Sequence, residues 1–357
     1  MKIAQIAPLY ESVPPVGYGG TERVIAGICD GLVDLGHEVT LFAAGTSTTK
    51  AELVEVVPTP LRKRMSREEM LNVAPHLHLR MFSDVYACAD DFDVIHSHAD
   101  IWTLPFAHRT DTPTVITMHG RLDLDHVRET LPLYPSVPLV SISDHQRTAV
   151  ADLDVNWAAT VYNGLDLDHY LSHRPTKESH LVFVGRISAE KDPAGAVEIA
   201  RRSGRRLQVA AKIDPLDLDF YSSEIEPLFA QNHVRFIGEI EEDRKPSFYG
   251  SAAATLFPSD WPEPFGLVMV ESMAAGTPVI ALRRGSVPEI IIDGVTGFIC
   301  DDIDEMVEAV RHIDEIDPDA CRKRATEFDV SAMCAAYEAV YRQVSDDSYG
   351  AMLRTAS

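Results

Sequence analysis

Two carboxylates eight positions apart, Glu263 and Glu271, stand in the stretch WPEPFGLVMVESMAAGTPVIAL (261–282), where an apolar core would not ordinarily accept them. From Phe265 to Ala281 the only ionisable side chain is Glu271. Leaving that carboxylate unpaired would cost several kcal/mol, so something must donate hydrogen bonds to it. The stretch reads as an apolar helix opening near Phe265 or Gly266 and stopping at Gly276, with Pro278 leading into a buried strand. A helix rises about 1.5 Å per residue, which puts Glu271 roughly 7 Å along it, its side chain tilted back toward the N-terminus. That end carries Glu263 and the Pro264-Phe265-Gly266 turn, and its free N–H groups suit a phosphate or another anion. A carboxylate for vicinal hydroxyls, a helix N-terminus for phosphate and a second carboxylate in the entering loop describe a pocket for a sugar nucleotide. The plainer alternative is a buried helix whose glutamate is satisfied by a neighbouring strand or an arginine.

A second constellation lies upstream, in VGRISAEKD (184–192), where Arg186 and Lys191 flank a strand-to-helix turn and Pro193 opens the helix. The spacing lets both cations converge on one anion at the carboxyl end of a parallel strand.

Glu263, Pro264, Phe265, Gly266 and, eight after the first, Glu271 resemble the two-glutamate motif of family 4 glycosyltransferases, retaining enzymes of the GT-B fold. The resemblance implies that Glu271 holds the ribose hydroxyls while Glu263 and the turn through Pro264, Phe265, Gly266 and Leu267 address the donor sugar. It also makes Arg186 and Lys191 the diphosphate-binding pair. The turn Gly238-Glu239-Ile240 is placed as in relatives whose backbone meets the base, and His119, in TMHG directly after an apolar strand, is similar to the family's histidine that reaches the donor sugar. Gly19 and Gly20 match the glycine loop that contacts the donor phosphate or the acceptor. Ser143 falls where relatives place a cleft-facing serine, although helix capping is the commoner use. The loops 285–289 and 293–298 also resemble the family and are expected to complete the wall of the cleft.

The order of elements supports a doubly wound α/β architecture. Strands are expected at Lys2–Pro8, Glu38–Ala43, Val94–His96, Thr114–Met118 and Leu139–Ile142, with a helix over Thr21–Leu35 stopped by Gly36. The glycines of GYGGTE follow the first strand, but they lack the third glycine of a dinucleotide fingerprint. The pattern restarts at Leu181–Val184, with further strands at Gln208–Ala211, Val234–Ile237 and Ala254–Pro258, after an Asn163-Gly164 linker and a polar stretch from His173 to His180. The expectation is two Rossmann-like doubly wound domains facing a central cleft. Residues 1–165 form the acceptor-binding domain and 166–339 the nucleotide-sugar domain, and a C-terminal helix at about 340–357 crosses back to the first.

Composition narrows the partners. With 55 Asp and Glu against 32 Lys and Arg the formal net charge is −23, which disfavours nucleic acid. A basic segment between Pro58 and Phe82, with Arg62, Lys63, Arg64, Arg67 and Arg80, is read as a solvated helix face, an acceptor contact or a weak membrane contact. The absence of a long apolar run sets the expectation of a cytoplasmic chain, with peripheral contact at the inner membrane face as the variant. Five scattered cysteines without CxxC spacing suggest neither disulfides nor zinc. His96 and His98 share one face of a strand, yet no third ligand accompanies them and no metal or cofactor is expected. The resulting expectation is a metal-independent retaining glycosyltransferase that moves a sugar from a UDP- or GDP-type donor to a hydroxyl acceptor on a small molecule, lipid or saccharide. Two alternatives use the same donor pocket: a nucleotide-sugar epimerase or hydrolase, and a non-catalytic nucleotide-sugar binder.

Overall fold

Short apolar segments alternate with amphipathic helices along the chain, the pattern of strands buried on both faces of parallel sheets. A computed structural model describes residues 1–172 and 178–355. In the first sheet β1 (Lys2–Ile6), β2 (Glu38–Ala44), β3 (Glu52–Val57), β4 (Val94–Ser97), β5 (Thr114–Met118), β6 (Leu139–Ser141) and β7 (Trp157–Thr160) lie in the order β3-β2-β1-β4-β5-β6-β7. Every pairing is parallel. The second sheet holds β8 (Leu181–Arg186), β9 (Leu207–Lys212), β10 (Val234–Gly238), β11 (Ala254–Phe257), β12 (Val279–Leu282) and β13 (Gly297–Cys300), in the order β10-β9-β8-β11-β12-β13.

Three strands were not anticipated, and all three are edge strands. β3 is largely exposed and β7 half-buried along its length, so neither carries the apolar run of a strand covered on both faces. The loop expected over 293–298 is corrected at its end, because Gly297–Cys300 pairs with β12 and only the turn through Gly294 remains a loop. In each sheet the order reverses beside the first strand of the unit, between β1 and β4 and again between β8 and β11. Ligands of open α/β sheets bind at such switch points, outside the carboxyl ends of the strands.

One unit comprises Met1–Pro15, Gly19–Gly164 and Val330–Ser357, the other Val16–Tyr18 and Leu165–Asp329. The chain returns to the first unit at Val330, where its final helix begins. The polar stretch His173 to His180 falls in part outside the described residues. Among the described residues no helix is long and apolar enough to cross a membrane.

The returning helix, Val330–Thr355, packs on the first helix, Gly20–Asp34, through two glycines one turn apart. A Cβ on Gly27 would lie 2.9 Å from Val330 Cγ2, and one on Gly31 would press into Cys334 Sγ. Bare Cα positions let the two backbones approach at a distance no larger residue allows. Gly31→Leu should therefore lower stability by about 1–3 kcal/mol through overpacking, even though leucine favours a helix by nearly 1 kcal/mol over glycine. Urea unfolding followed by circular dichroism reads the sign directly, and a stabilised variant would contradict the close packing.

Candidate functional site

The loops after β8 and β11, neighbouring strands at the second sheet's switch point, carry the candidate residues Lys191, Glu263 and the turn from Pro264 to Leu267. After β11 the chain runs through Trp261 and Glu263 to Gly266, whose φ of 84° places it in the left-handed region as the cap before the helix Leu267–Ala274. This turn is braced from below. Gly285 lies against the backbone of Pro262 and Glu263, too close for any side chain. Ser286 N donates to Glu263 O at 2.9 Å, and Ser286 Oγ donates to Phe265 O at 2.7 Å. Phe265 is buried and meets Phe328 edge-on at 5.8 Å. Leu267, half-buried, opens the helix, and Pro264 is buried beside it.

Lys191 reaches across from the β8 loop and donates to Glu263 Oε2, which also accepts from Trp261 Nε1 at 3.1 Å. The ammonium lies 4.8 Å from the Trp261 ring centre and 5.8 Å from that of Phe257, within cation–π range. Burial alone would depress the lysine's pKa, but the Glu263 carboxylate, helped by Tyr18 and Glu190, outweighs it and the pKa is raised. Arg186, at the end of β8, donates to Glu190 Oε1 at 2.6 Å and pairs with Asp217 at 3.3 Å. Arg186 and Lys191 thus hold different carboxylates in the structure. In so acidic a chain each cation has its own carboxylates. Asp192 follows with φ of 47° and caps the helix Pro193–Ser203 by accepting from Gly195 N at 2.8 Å.

Glu271 meets its expected need for donors in a way the sequence reading did not foresee. Its Oε1 accepts from Lys245 Nζ at 2.6 Å and its Oε2 from the Tyr249 hydroxyl at 2.7 Å. Both come from the preceding helix, Lys245–Gly250, rather than from a strand or an arginine. Lys245 also pairs with Glu242 at 3.0 Å, and Glu242 accepts from Tyr170 at 2.7 Å. The Glu271 side chain is only 3% exposed. Gly238, with φ of 74°, ends β10, and the exposed Glu239 accepts from Tyr18 N at 3.2 Å within the same unit.

In the first unit the buried Gly19 caps the helix that the exposed Gly20 begins, and a Cβ on Gly19 would sit 2.8 Å from Pro15 Cβ. His119, half-buried, closes β5. Its backbone N–H donates to Asp100 Oδ1 at 2.7 Å, and its Nε2 meets His98 Nδ1 at 2.9 Å. Asp100 is held at φ of 47°, and burial raises its carboxyl to about 6 against the pull of the His119 and Gly120 N–H groups. Asp100 and Asp192 are the two non-glycine residues with positive φ among those described, and each adjoins a candidate site residue. Ser143 caps its helix, accepting from Gln146 N at 3.2 Å. His96 is committed to Tyr341 and Thr117, and His98 to His119 and Gln5, which accounts for the paired histidines without a metal.

Trp261, Lys245, Tyr249 and Asp100 were missed by sequence reasoning. Lys245 and Tyr249 had a signal, being a lysine and a tyrosine one turn apart on the element ahead of an obligatorily solvated glutamate. Glu263→Gln should remove the charge that offsets Lys191's burial and so lower the amine's pKa. Reductive methylation with ¹³C-formaldehyde, followed by NMR titration, measures it; an unshifted Lys191 resonance would sink the pairing as drawn.

Comparison with known proteins agrees with this layout. Residues 171–328 match the family described as glycosyl transferases group 1, and residues 18–169 match glycosyltransferase family 4. An uncharacterized glycosyltransferase of Methanocaldococcus jannaschii is 28% identical over 84% of both chains. The phosphatidyl-myo-inositol mannosyltransferase of Mycolicibacterium smegmatis is 26% identical over 97% of this chain and 94% of its own. Among solved structures, a glycosyltransferase involved in avilamycin A biosynthesis superposes with a TM-score of 0.72 at 26% identity, covering 97% of this chain and 98% of that one. Two parallel-sheet units and family matches spanning both halves make the chain a member of the group 1 glycosyltransferases, of the family 4 type and GT-B fold.

Proposed function

We propose that this glycosyltransferase moves a hexose-type sugar from a nucleoside diphosphate to a hydroxyl acceptor, with retention at the anomeric carbon and without a metal ion. The observation that carries the reading is the placement of Lys191, Glu263 and Arg186 on the loops of adjacent strands at the second sheet's switch point. Charge grows on the departing diphosphate as the glycosidic bond breaks. Lys191 and Arg186 are the groups to meet it, the diphosphate exchanging with Glu190 and Asp217 on the guanidinium and adding to Glu263 on the ammonium. Such aid acts mainly in the transition state, and loss of one contact costs about 10²-fold or more.

Glu263 is assigned to a hydroxyl of the sugar, in an orientation fixed by Trp261 and the Ser286 brace. Glu271 is assigned to the ribose. Each of its oxygens accepts one hydrogen bond from the protein, and a carboxylate offers about four acceptor positions in all, so two remain for hydroxyls. Gly238 and Glu239 are assigned to the base, and the Gly266 turn with Leu267 to the phosphates. His119 is assigned to the donor sugar, Gly19 and Gly20 to the phosphate or the acceptor, and acceptor binding to the first unit. The acceptor oxygen bonds to the anomeric carbon on the face the phosphate leaves, and its proton passes to the departing phosphate oxygen. No carboxylate is assigned to the opposite face, so no covalent glycosyl-enzyme is proposed.

A melting screen against UDP, GDP, ADP, dTDP and their common sugars, without metal, tests this. A ligand at 100 times its dissociation constant adds about 2.7 kcal/mol of stability. One nucleotide should raise the melting temperature of the wild type and do so far less for Arg186→Ala, and Lys191→Ala should abolish transfer from the matching sugar. A folded protein that responds to none of them would remove the donor assignment, and turnover of the donor without an acceptor would favour a hydrolase or epimerase.

A further inference from the structure

Behind His119 the first unit holds a run of hydrogen bonds that the donor assignment itself does not require. His119 Nε2 meets His98 Nδ1 at 2.9 Å, and His98 Nε2 meets Gln5 Oε1 at 2.9 Å. Gln5 Nε2 lies 3.1 Å from the Tyr341 hydroxyl, which lies 2.7 Å from His96 Nδ1. His96 Nε2 then meets Thr117 Oγ1 at 2.7 Å, beside the Tyr337 hydroxyl at 3.0 Å. Gln5, His96, His98, Thr117 and both tyrosines are buried. In such surroundings each donor must find an acceptor.

A neutral imidazole has one N–H and one bare nitrogen, so the run can point in only two directions. The lengths choose between them. Hydroxyl donors make bonds of about 2.7–2.8 Å and amide N–H donors about 2.9–3.0 Å. The 3.1 Å contact between Gln5 and Tyr341 is an N–H···O length, and the 2.7 Å contact from Tyr341 to His96 fits an O–H donor. Tyr341 accordingly accepts from the Gln5 amide and donates to His96. With its NH₂ so committed, Gln5 presents its carbonyl to His98. His98 then carries its proton on Nε2, its Nδ1 is bare, and His119 must be the donor between them. Burial depresses the pKa of all three imidazoles and keeps them neutral, with the neighbouring rings adding to the effect on His96 and His98.

We infer that Gln5, acting through His98, is a positioning residue that holds His119 in its Nε2–H form, so that the sugar group opposite His119 must be a hydrogen-bond donor, a free hydroxyl. The inference rests on the assignment of His119 to the donor sugar. His119 Nδ1 has no hydrogen-bond partner among the described residues, and Asp100 fixes the backbone that aims it. A deoxy, O-methyl or carboxylate substituent at that position offers this nitrogen no proton and would be rejected.

Long-range ¹H–¹⁵N correlation of imidazole-labelled protein near neutral pH reads the tautomer without any ligand, with resonances assigned through His119→Gln and His98→Gln. His119 should show a pyrrole-type Nε2 and a pyridine-type Nδ1. Gln5→Leu should collapse that pattern toward averaged tautomers, while Gln5→Glu, whose carboxylate accepts from His98 in the same way, should keep it. A pyrrole-type Nδ1 in the wild type, or an unchanged pattern in folded Gln5→Leu, overturns the lock. If Gln5→Leu does not fold, the wild-type spectrum alone decides. The sugar assignment fails separately if His119→Ala consumes UDP-glucose or GDP-mannose at the wild-type rate while the wild-type tautomer is as stated.

Discussion

The ion pair between Lys191 and Glu263, together with the Ser259 hydroxyl donating to Glu190 O at 2.8 Å, ties the loop after β8 to the loop after β11. Both side chains are largely withdrawn from water, at 14% and 11% exposure, and removing one partner would strand the other charge. A buried pair of this kind contributes little net stability compared with apolar packing. What it contributes is position, because it fixes a cation from the β8 loop beside a carboxylate from the β11 loop at the point where the strand order reverses. The indole of Trp261 closes one side of the pair and the phenyl ring of Phe257 lies on another, which keeps the local dielectric low and the electrostatic interaction strong.

Charge compensation is also the theme of Glu271, handled differently. Its partners Lys245 and Tyr249 belong to one short helix, and Lys245 is shared with Glu242. The carboxylate is thereby held rigidly while part of its acceptor capacity stays unused. The first unit buries the run behind His119 without ions, through neutral imidazoles, hydroxyls and the Gln5 amide. Its one strained carboxylate, Asp100, serves the backbone of His119 rather than a cation.

Much of this was legible in the chain because parallel sheets write themselves as apolar runs between amphipathic helices, and because Glu271 in such a run is anomalous unless something holds it. The central strands β1, β4, β5, β8 and β11 carried that signal. Edge strands β3 and β7 did not, since exposure removes the two-faced apolar pattern, and β13, though mostly buried, is only four residues long and opens on a glycine. Within the site, residue types and spacing exposed Arg186, Lys191, Glu263 and Glu271. They could not expose the carboxylates that pair with Arg186, nor the roles of Gln5 and Tyr341, which lie 336 residues apart in sequence and meet only through the fold. Long-range hydrogen bonds between buried side chains leave no local periodicity.

That separation has a consequence for how the molecule is made. Its first unit begins at residue 1 and is completed by a helix that starts at Val330. A ribosome adding about 5–20 residues per second delivers Tyr341 on the order of 20–70 s after Gln5. During that interval the sheet that will carry His119 has a buried amide and imidazole without their phenol, and the groove at Gly27 and Gly31 has no helix to fill it. The second unit, contiguous from Leu165 to Asp329 apart from three residues donated by the first loop, emerges whole in the meantime. The half of the chain translated first therefore cannot complete its native state until the second unit has been made.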